Sequence, residues 1–134
     1  MSSPKQSIIR ARDIMSPSLV TIGGMATAKE AANKMRAERI SAIIVEKRHE
    51  DDAWGLIAVQ DLIREVIIPG RSFEDVHVYE IMTKPVIAVP AEMDIRYVAR
   101  LLHRAGIRRA PVEENRAIVG MIALRSLILD HDIF

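Results

Sequence analysis

The sequence predicts an α/β (α+β) fold built from tandem β-α-β-β-α repeats with pseudo-twofold symmetry. Three observations carry this reading. A block opened by glycine, Gly55-Leu56-Ile57-Ala58-Val59-Gln60-Asp61-Leu62, returns as Gly120-Met121-Ile122-Ala123-Leu124-Arg125-Ser126-Leu127. Asp13-Ile14-Met15-Ser16-Pro17 returns as Glu80-Ile81-Met82-Thr83-Lys84-Pro85. Ala28, Ala31, Ala32 and Met35 recur as one face of a helix, and adding 67 residues lands on Ile95, Val98, Ala99 and Leu102, the same face again.

Each element has a local reason. Leu19–Ile22 and Val86–Val89 are short runs rich in β-branched residues, the first strands. Thr27 and Glu30 form a capping box ahead of the first long helix. Asp94 caps the second, and Gly106 supplies a left-handed stop. Ile40–Glu46 and Ile107–Glu113 read as second strands, Trp54–Ala58 and Ala117–Ala123 as third strands. Val59, Leu62, Ile63 and Val66 then mark the buried face of one closing helix, and Leu124, Leu127 and Ile128 that of its counterpart. The turn is longer in the first copy, Lys47–Ala53 against Glu114–Arg116, and turn plus third strand together are two residues longer there, which shortens the offset from 67 to 65. The expected organisation is a loosely held tail over 1–10, a first repeat over 11–69, a linker over 70–78 containing Gly70-Arg71-Ser72, and a second repeat over 79–134. Units of this size seldom bury enough apolar surface alone, so a shared sheet-to-sheet core is expected, with both strand-to-helix junctions facing a common cleft.

Composition narrows the function. The 134 residues are 49% hydrophobic but only 4% aromatic, so the core is aliphatic and no aromatic stacking platform is available for single-stranded nucleic acid. Nineteen basic residues against 18 acidic ones leave a net charge of +1, too small a field to imply nucleic-acid binding. The absence of cysteine excludes disulfides, a thiol nucleophile and a Cys-ligated metal. The four histidines form no zinc-type pair, so no metal is expected. No P-loop, Rossmann or nucleophile-elbow pattern occurs. Without a long apolar run or a signal peptide, a soluble cytoplasmic protein with no membrane role is expected.

The ordered set of motifs, occurring twice, makes the chain resemble a cystathionine-β-synthase (CBS) domain pair, or Bateman module, over roughly residues 11–130. The residues that carry the resemblance are the Ile-Met-Ser-Pro and Ile-Met-Thr-Lys-Pro openings, Glu30-Ala31-Ala32, Gly106-Ile107-Arg108-Arg109-Ala110-Pro111-Val112 and the block ending in Asp61. The resemblance implies a stand-alone, non-catalytic sensor that needs no cofactor and binds AMP, ADP, ATP or S-adenosylmethionine as a regulatory ligand, in energy sensing among other roles. It also implies a homodimer of modules and an effector protein.

Carried over residue by residue, the resemblance makes Asp61 the ribose acceptor and puts Ile57 and Ala58 in the same block. Ala58 stands where the family prefers a hydroxyl for phosphate. In the second copy Ala123 and Ser126 replace both polar groups, so Ser126 offers a ribose one uncharged hydrogen bond. Thr21, Ile22, Ile43 and Ile44 are expected beside adenine, or equally as core strand residues. Asp61 in the first turn of a helix also suits the helix dipole. Arg108 and Arg109 either pair a phosphate or form a solvated basic corner. The alternative to a sensor is a ligand-free dimerisation or protein-interaction module with degenerate nucleotide sites.

Overall fold

The computed structural model describes residues 8–17 and 19–133. In chain order the elements are helix α1 (Ala11–Ile14), strand β1 (Thr21–Ile22), α2 (Ala28–Glu38), β2 (Ala42–Val45), β3 (Gly55–Ala58), α3 (Val59–Leu62), α4 (Val78–Ile81), β4 (Val89–Pro90), α5 (Ile95–Ala105), β5 (Arg109–Glu114), β6 (Ala117–Ala123) and α6 (Ser126–Leu129). The helix begun by α3 continues through Ile63–Ile67 as a wider π turn.

Each repeat forms a three-stranded sheet, ordered β1-β2-β3 and β4-β5-β6. The first pair in each is parallel and the second antiparallel. A parallel pair needs a crossover, and α2 and α5 supply it. Thr27 accepts from the Glu30 N–H at 3.1 Å and starts α2. Asp94 accepts from the Arg96 N–H at 2.9 Å and starts α5. Gly106, with φ of 70°, ends α5 in the left-handed conformation that a side chain disfavours.

The compact units do not follow the repeat boundaries drawn at 11–69 and 79–134. One unit is Val20–Val86; the other combines the chain up to Leu19 with that from Ile87 onward. The two openers are exchanged. Thr83 pairs with Leu56 through two backbone hydrogen bonds of 2.9 Å, so the second opener closes the first repeat's sheet. Ser16 pairs with Met121 at 2.8 and 3.0 Å, so the first opener closes the second. An edge strand leaves a row of backbone groups unpaired, and this exchange covers part of that row. It also explains the repeated glycines. A Cβ on Gly55 would lie 2.9 Å from Met82 Sδ, and one on Gly120 would lie 2.6 Å from Met15 Sδ and 2.7 Å from the Ser16 carbonyl oxygen. The methionine of each opener occupies the space a side chain would fill.

The core follows the same division. Ile22, Ala31, Met35, Ile43, Val45, Ile57, Val66 and Ile81 belong to one buried cluster. Ala11, Val89, Val98, Leu102, Ala110, Val112 and Ile122 belong to another. The described buried residues group into one such cluster for each unit. Of the expected N-terminal tail, residues 1–7 lie outside the described residues. Ile9 and Arg10 are held in place: the Ile9 carbonyl accepts from the Ile95 N–H at 2.8 Å, and the Arg10 guanidinium donates to the Glu92 carbonyl at 2.8 Å.

Helix faces differ from expectation where the helix widens. Leu62 and Val66 are buried as expected, but Ile63 is 36% exposed. A π turn advances less than 100° per residue, so an i, i+3, i+4 face does not persist through it. In α6, Leu127 is buried while Ile128 points outward. Among the described residues no helix is long and apolar enough to cross a membrane, and no group of three His, Cys, Asp or Glu side chains could hold a metal ion.

Candidate functional site

The Val20–Val86 unit holds seven of the ten candidate residues. Ala58 ends β3 opposite Ala42 of β2, and the chain turns there into α3. The Val59 N–H donates to the Ser41 carbonyl at 2.9 Å and fixes that turn. Asp61 is 7% exposed, the one charged residue among the described residues that is buried as a whole. Its Oδ2 accepts from the Ala58 N–H at 2.7 Å, and its Oδ1 accepts from the Arg64 guanidinium at 2.8 Å. The first bond is the same cap that Asp13 makes to the Arg10 N–H and Glu80 to the His77 N–H, both at 2.8 Å. The helix-start role of Asp61 is therefore physically present. A carboxylate accepts about four hydrogen bonds, and two are in use here. Arg64 itself is largely exposed and also bonds Glu65 at 3.1 Å, so it is a displaceable partner.

The remaining residues of this unit are placed as follows. Ile22, Ile43 and Ile57 lie in the unit's core cluster. Ile44 is on the opposite face of the sheet, since strand residues alternate, and is buried too. Thr21 is half-buried; its hydroxyl donates to Glu46 at 2.9 Å and its carbonyl accepts from Lys34 Nζ at 2.7 Å. β1 pairs with β2 at Ile44 and Val45, whereas Ala58 pairs at Ala42. With strands about 4.8 Å apart and a rise of about 3.3 Å per residue, Thr21 and the Asp61 turn are separated by about 12 Å. Thr21 thus stands apart from the Asp61 turn, whereas Ile43 pairs directly with Ile57, the residue before Ala58.

Arg108, Arg109 and Ser126 lie in the other unit, at the equivalent turn. Arg109 pairs with Ala123 in the β5–β6 register, and the Arg108 carbonyl accepts from the Leu124 N–H at 2.8 Å. The Ser126 hydroxyl donates to the Ala123 carbonyl at 2.7 Å, so it is spent on its own backbone. Arg109 is partly buried, and that burial, followed by the like charges of Arg108 and Arg125, lowers its pKa below the usual arginine value.

Arg64 was not anticipated, although its spacing three residues from Asp61 on a helix is the signal for such a pair. Glu46 and Lys34, which engage Thr21, come from separate elements and carry no local signal.

A CBS-domain family model matches residues 11–68 and 78–129. An uncharacterised protein of Methanopyrus kandleri is 31% identical over 103 residues, which cover 76% of this chain and 52% of that protein. A hexameric CBS-CP12 protein from bloom-forming cyanobacteria has a crystal structure that matches with a TM-score of 0.88 at 36% identity, covering 92% of this chain and 68% of that one. An uncharacterised conserved protein from Pyrococcus horikoshii shares the fold, with a TM-score of 0.81 at 24% identity and 94% coverage of both chains. The chain spans about half the length of the Methanopyrus relative. With both repeats matched by the family model and both sheets built to one plan, the chain belongs to the CBS-domain family and carries two such domains in tandem.

Proposed function

We propose that the chain is a non-catalytic regulatory module, working in the cytoplasm, that binds an adenosyl ligand such as AMP, ADP, ATP or S-adenosylmethionine through Asp61. The observation that carries this reading is a buried carboxylate, held by the Ala58 N–H, with about two of its four acceptor positions unused. A ribose cis-diol presents two donors, and the exposed Arg64 can yield its place to one of them. Ala58 offers no hydroxyl, so any phosphate is met by other groups. Regulation would follow from population shift: the ligand favours whichever arrangement of the module and its partners binds it better, by the difference in affinity. The partner is a second copy. At the end of the π turn, Ile67 and the following Ile68 are 57% and 74% exposed, a surface that association would cover.

Calorimetric titration with the four ligands tests this. Asp61→Ala should weaken binding on the order of 10- to 100-fold, the worth of hydrogen bonds to a charged group, and Ser126→Ala should change it far less. No heat with any of the four at millimolar concentration would sink the proposal.

The second reading, a dimerisation module without ligand, is favoured by the absence of hydroxyls at Ala58 and Ala123 and of a carboxylate at Ser126. It expects an oligomer by light scattering whose melting temperature ignores nucleotides.

A further inference from the structure

The first repeat closes the Asp61 turn with a cation of its own. The Asp61 side chain is 10% exposed and that of Arg64 is 60% exposed, and the Arg64 guanidinium donates from Nη2 to Asp61 Oδ1 at 2.8 Å. An exposed guanidinium bonded to a buried carboxylate reaches it from the solvent side, the side from which a ligand must come. Oδ2 already accepts from the Ala58 N–H at 2.7 Å. A diol that bridges the carboxylate needs Oδ1 as well, and there it meets Arg64. A carboxylate whose charge is compensated by a guanidinium is also a weaker acceptor for a neutral hydroxyl, because charge-assisted bonds are the strong ones.

Two further observations make this pair a unit that can open. Arg64 has a second partner, since its Nε donates to the exposed Glu65 carboxylate at 3.1 Å. Leaving Asp61 therefore does not leave the guanidinium unpaired, and an ion pair with one exposed member costs little to break. In the second repeat both members are replaced together. Ser126 stands at the position of Asp61 and Leu129 at that of Arg64. The Ser126 hydroxyl bonds the Ala123 carbonyl at 2.7 Å, and Leu129 is 71% exposed. An arginine that only solubilised the helix surface would have no need of a carboxylate three residues earlier. In this chain the two are present together in one repeat and absent together from the other.

We propose that Arg64 is an internal competitor for the Asp61 carboxylate, a latch that a ribose diol must displace and that sets how much ligand fills the site. This inference rests on the reading of Asp61 as the ribose acceptor. In the closed state the guanidinium compensates the buried carboxylate. In the open state the diol donates to the carboxylate and Arg64 turns to Glu65. Binding of a neutral ligand then requires an ion pair to break, so salt, which screens that pair, favours the ligand. An arginine that merely held the turn together would act in the opposite sense, and its removal would loosen the site and weaken binding.

Adenosine is the probe, since it carries the diol without a phosphate that Arg64 could attract. Titrated calorimetrically into the full chain at about 0.15 M salt, it should bind Arg64→Met more tightly than the parent, by on the order of 3- to 10-fold. Raising the salt from about 0.05 M to about 0.5 M should tighten adenosine binding to the parent and leave Arg64→Met nearly unchanged. Arg64→Gln keeps a polar side chain; it should behave as Arg64→Met does, and it serves if the methionine variant aggregates. The gain should require the carboxylate, so Asp61→Ala combined with Arg64→Met should bind adenosine no more tightly than Asp61→Ala alone. Adenosine bound by the parent and lost in Asp61→Ala, with no gain in either Arg64 variant, would overturn the latch and leave the Asp61 reading standing. Adenosine binding that survives Asp61→Ala, or none to the parent and both Arg64 variants, would overturn that reading and the latch with it.

Discussion

Replacing Gly120 with alanine tests the exchange of openers. The new Cβ would sit 2.6 Å from Met15 Sδ and 2.7 Å from the Ser16 carbonyl oxygen. The thioether can rotate aside, but the carbonyl cannot, because it accepts from the Met121 N–H at 3.0 Å while the Ser16 N–H donates to the Met121 carbonyl at 2.8 Å. Relief of the clash breaks this pair, about 1 kcal/mol for each hydrogen bond. Overpacking adds about 1–3 kcal/mol. Stiffening of the unfolded chain returns about 0.4–1 kcal/mol. The expected net loss is about 2–4 kcal/mol. At Gly55 the nearest atoms are Met82 Sδ at 2.9 Å and Val45 Cβ at 3.2 Å, with the Thr83 carbonyl oxygen more distant at 3.4 Å. Gly55→Ala should therefore cost less, about 1–2 kcal/mol. Gly23→Ala, with nothing within 4 Å, is the control and should stay within about 0.5 kcal/mol of the parent. Urea unfolding followed by circular dichroism ranks the three. A Gly120→Ala variant as stable as the control, or less affected than Gly55→Ala, would refute the reasoning.

Two further predictions concern electrostatics and capping. The Lys84 ammonium at 2.7 Å, helped by Arg48, holds the Asp52 carboxyl far below its ordinary value of 3.8. A depressed carboxyl contributes stability that is present above the unfolded value and lost as pH falls through the folded one. Urea midpoints taken from about pH 5 down to about pH 2 should therefore fall less steeply for Lys84→Met than for the parent, and equal slopes would exclude the coupling. Thr27→Ala removes the cap of α2 and should destabilise by about 1 kcal/mol, with Thr27→Ser restoring most of it in the same assay.

The repeat plan was readable because periodicity and capping are local. The four-residue face on α2 and α5, the Thr27 box and the Gly106 stop all appear where the residues place them. What the repeats obscured was pairing across the chain. Ile14-Met15-Ser16 and Ile81-Met82-Thr83 look like the start of the repeat that follows each, yet each packs with the other one. Nothing local marks that choice except the glycines they press against. At the candidate site, the burial of Asp61 follows from its place in the turn, but its second partner came from a residue facing solvent. The charge contrast between Gln60-Asp61 and Arg125-Ser126 was legible once the repeats were aligned. The β5–β6 register places Arg108 and Arg109 at that same turn.

The exchanged openers also set an order for folding during synthesis. Val20–Val86 is continuous and can close as soon as it is made, whereas the other unit must join residues near Ser16 to Met121. Closing so long an unstructured loop costs roughly 4 kcal/mol of chain entropy. Once the middle of the chain has folded, most of that loop is already shortened, and the cost falls. One unit is in effect inserted within the other. Melting the inner unit therefore loosens the outer one through chain connectivity alone, with no contact between them required.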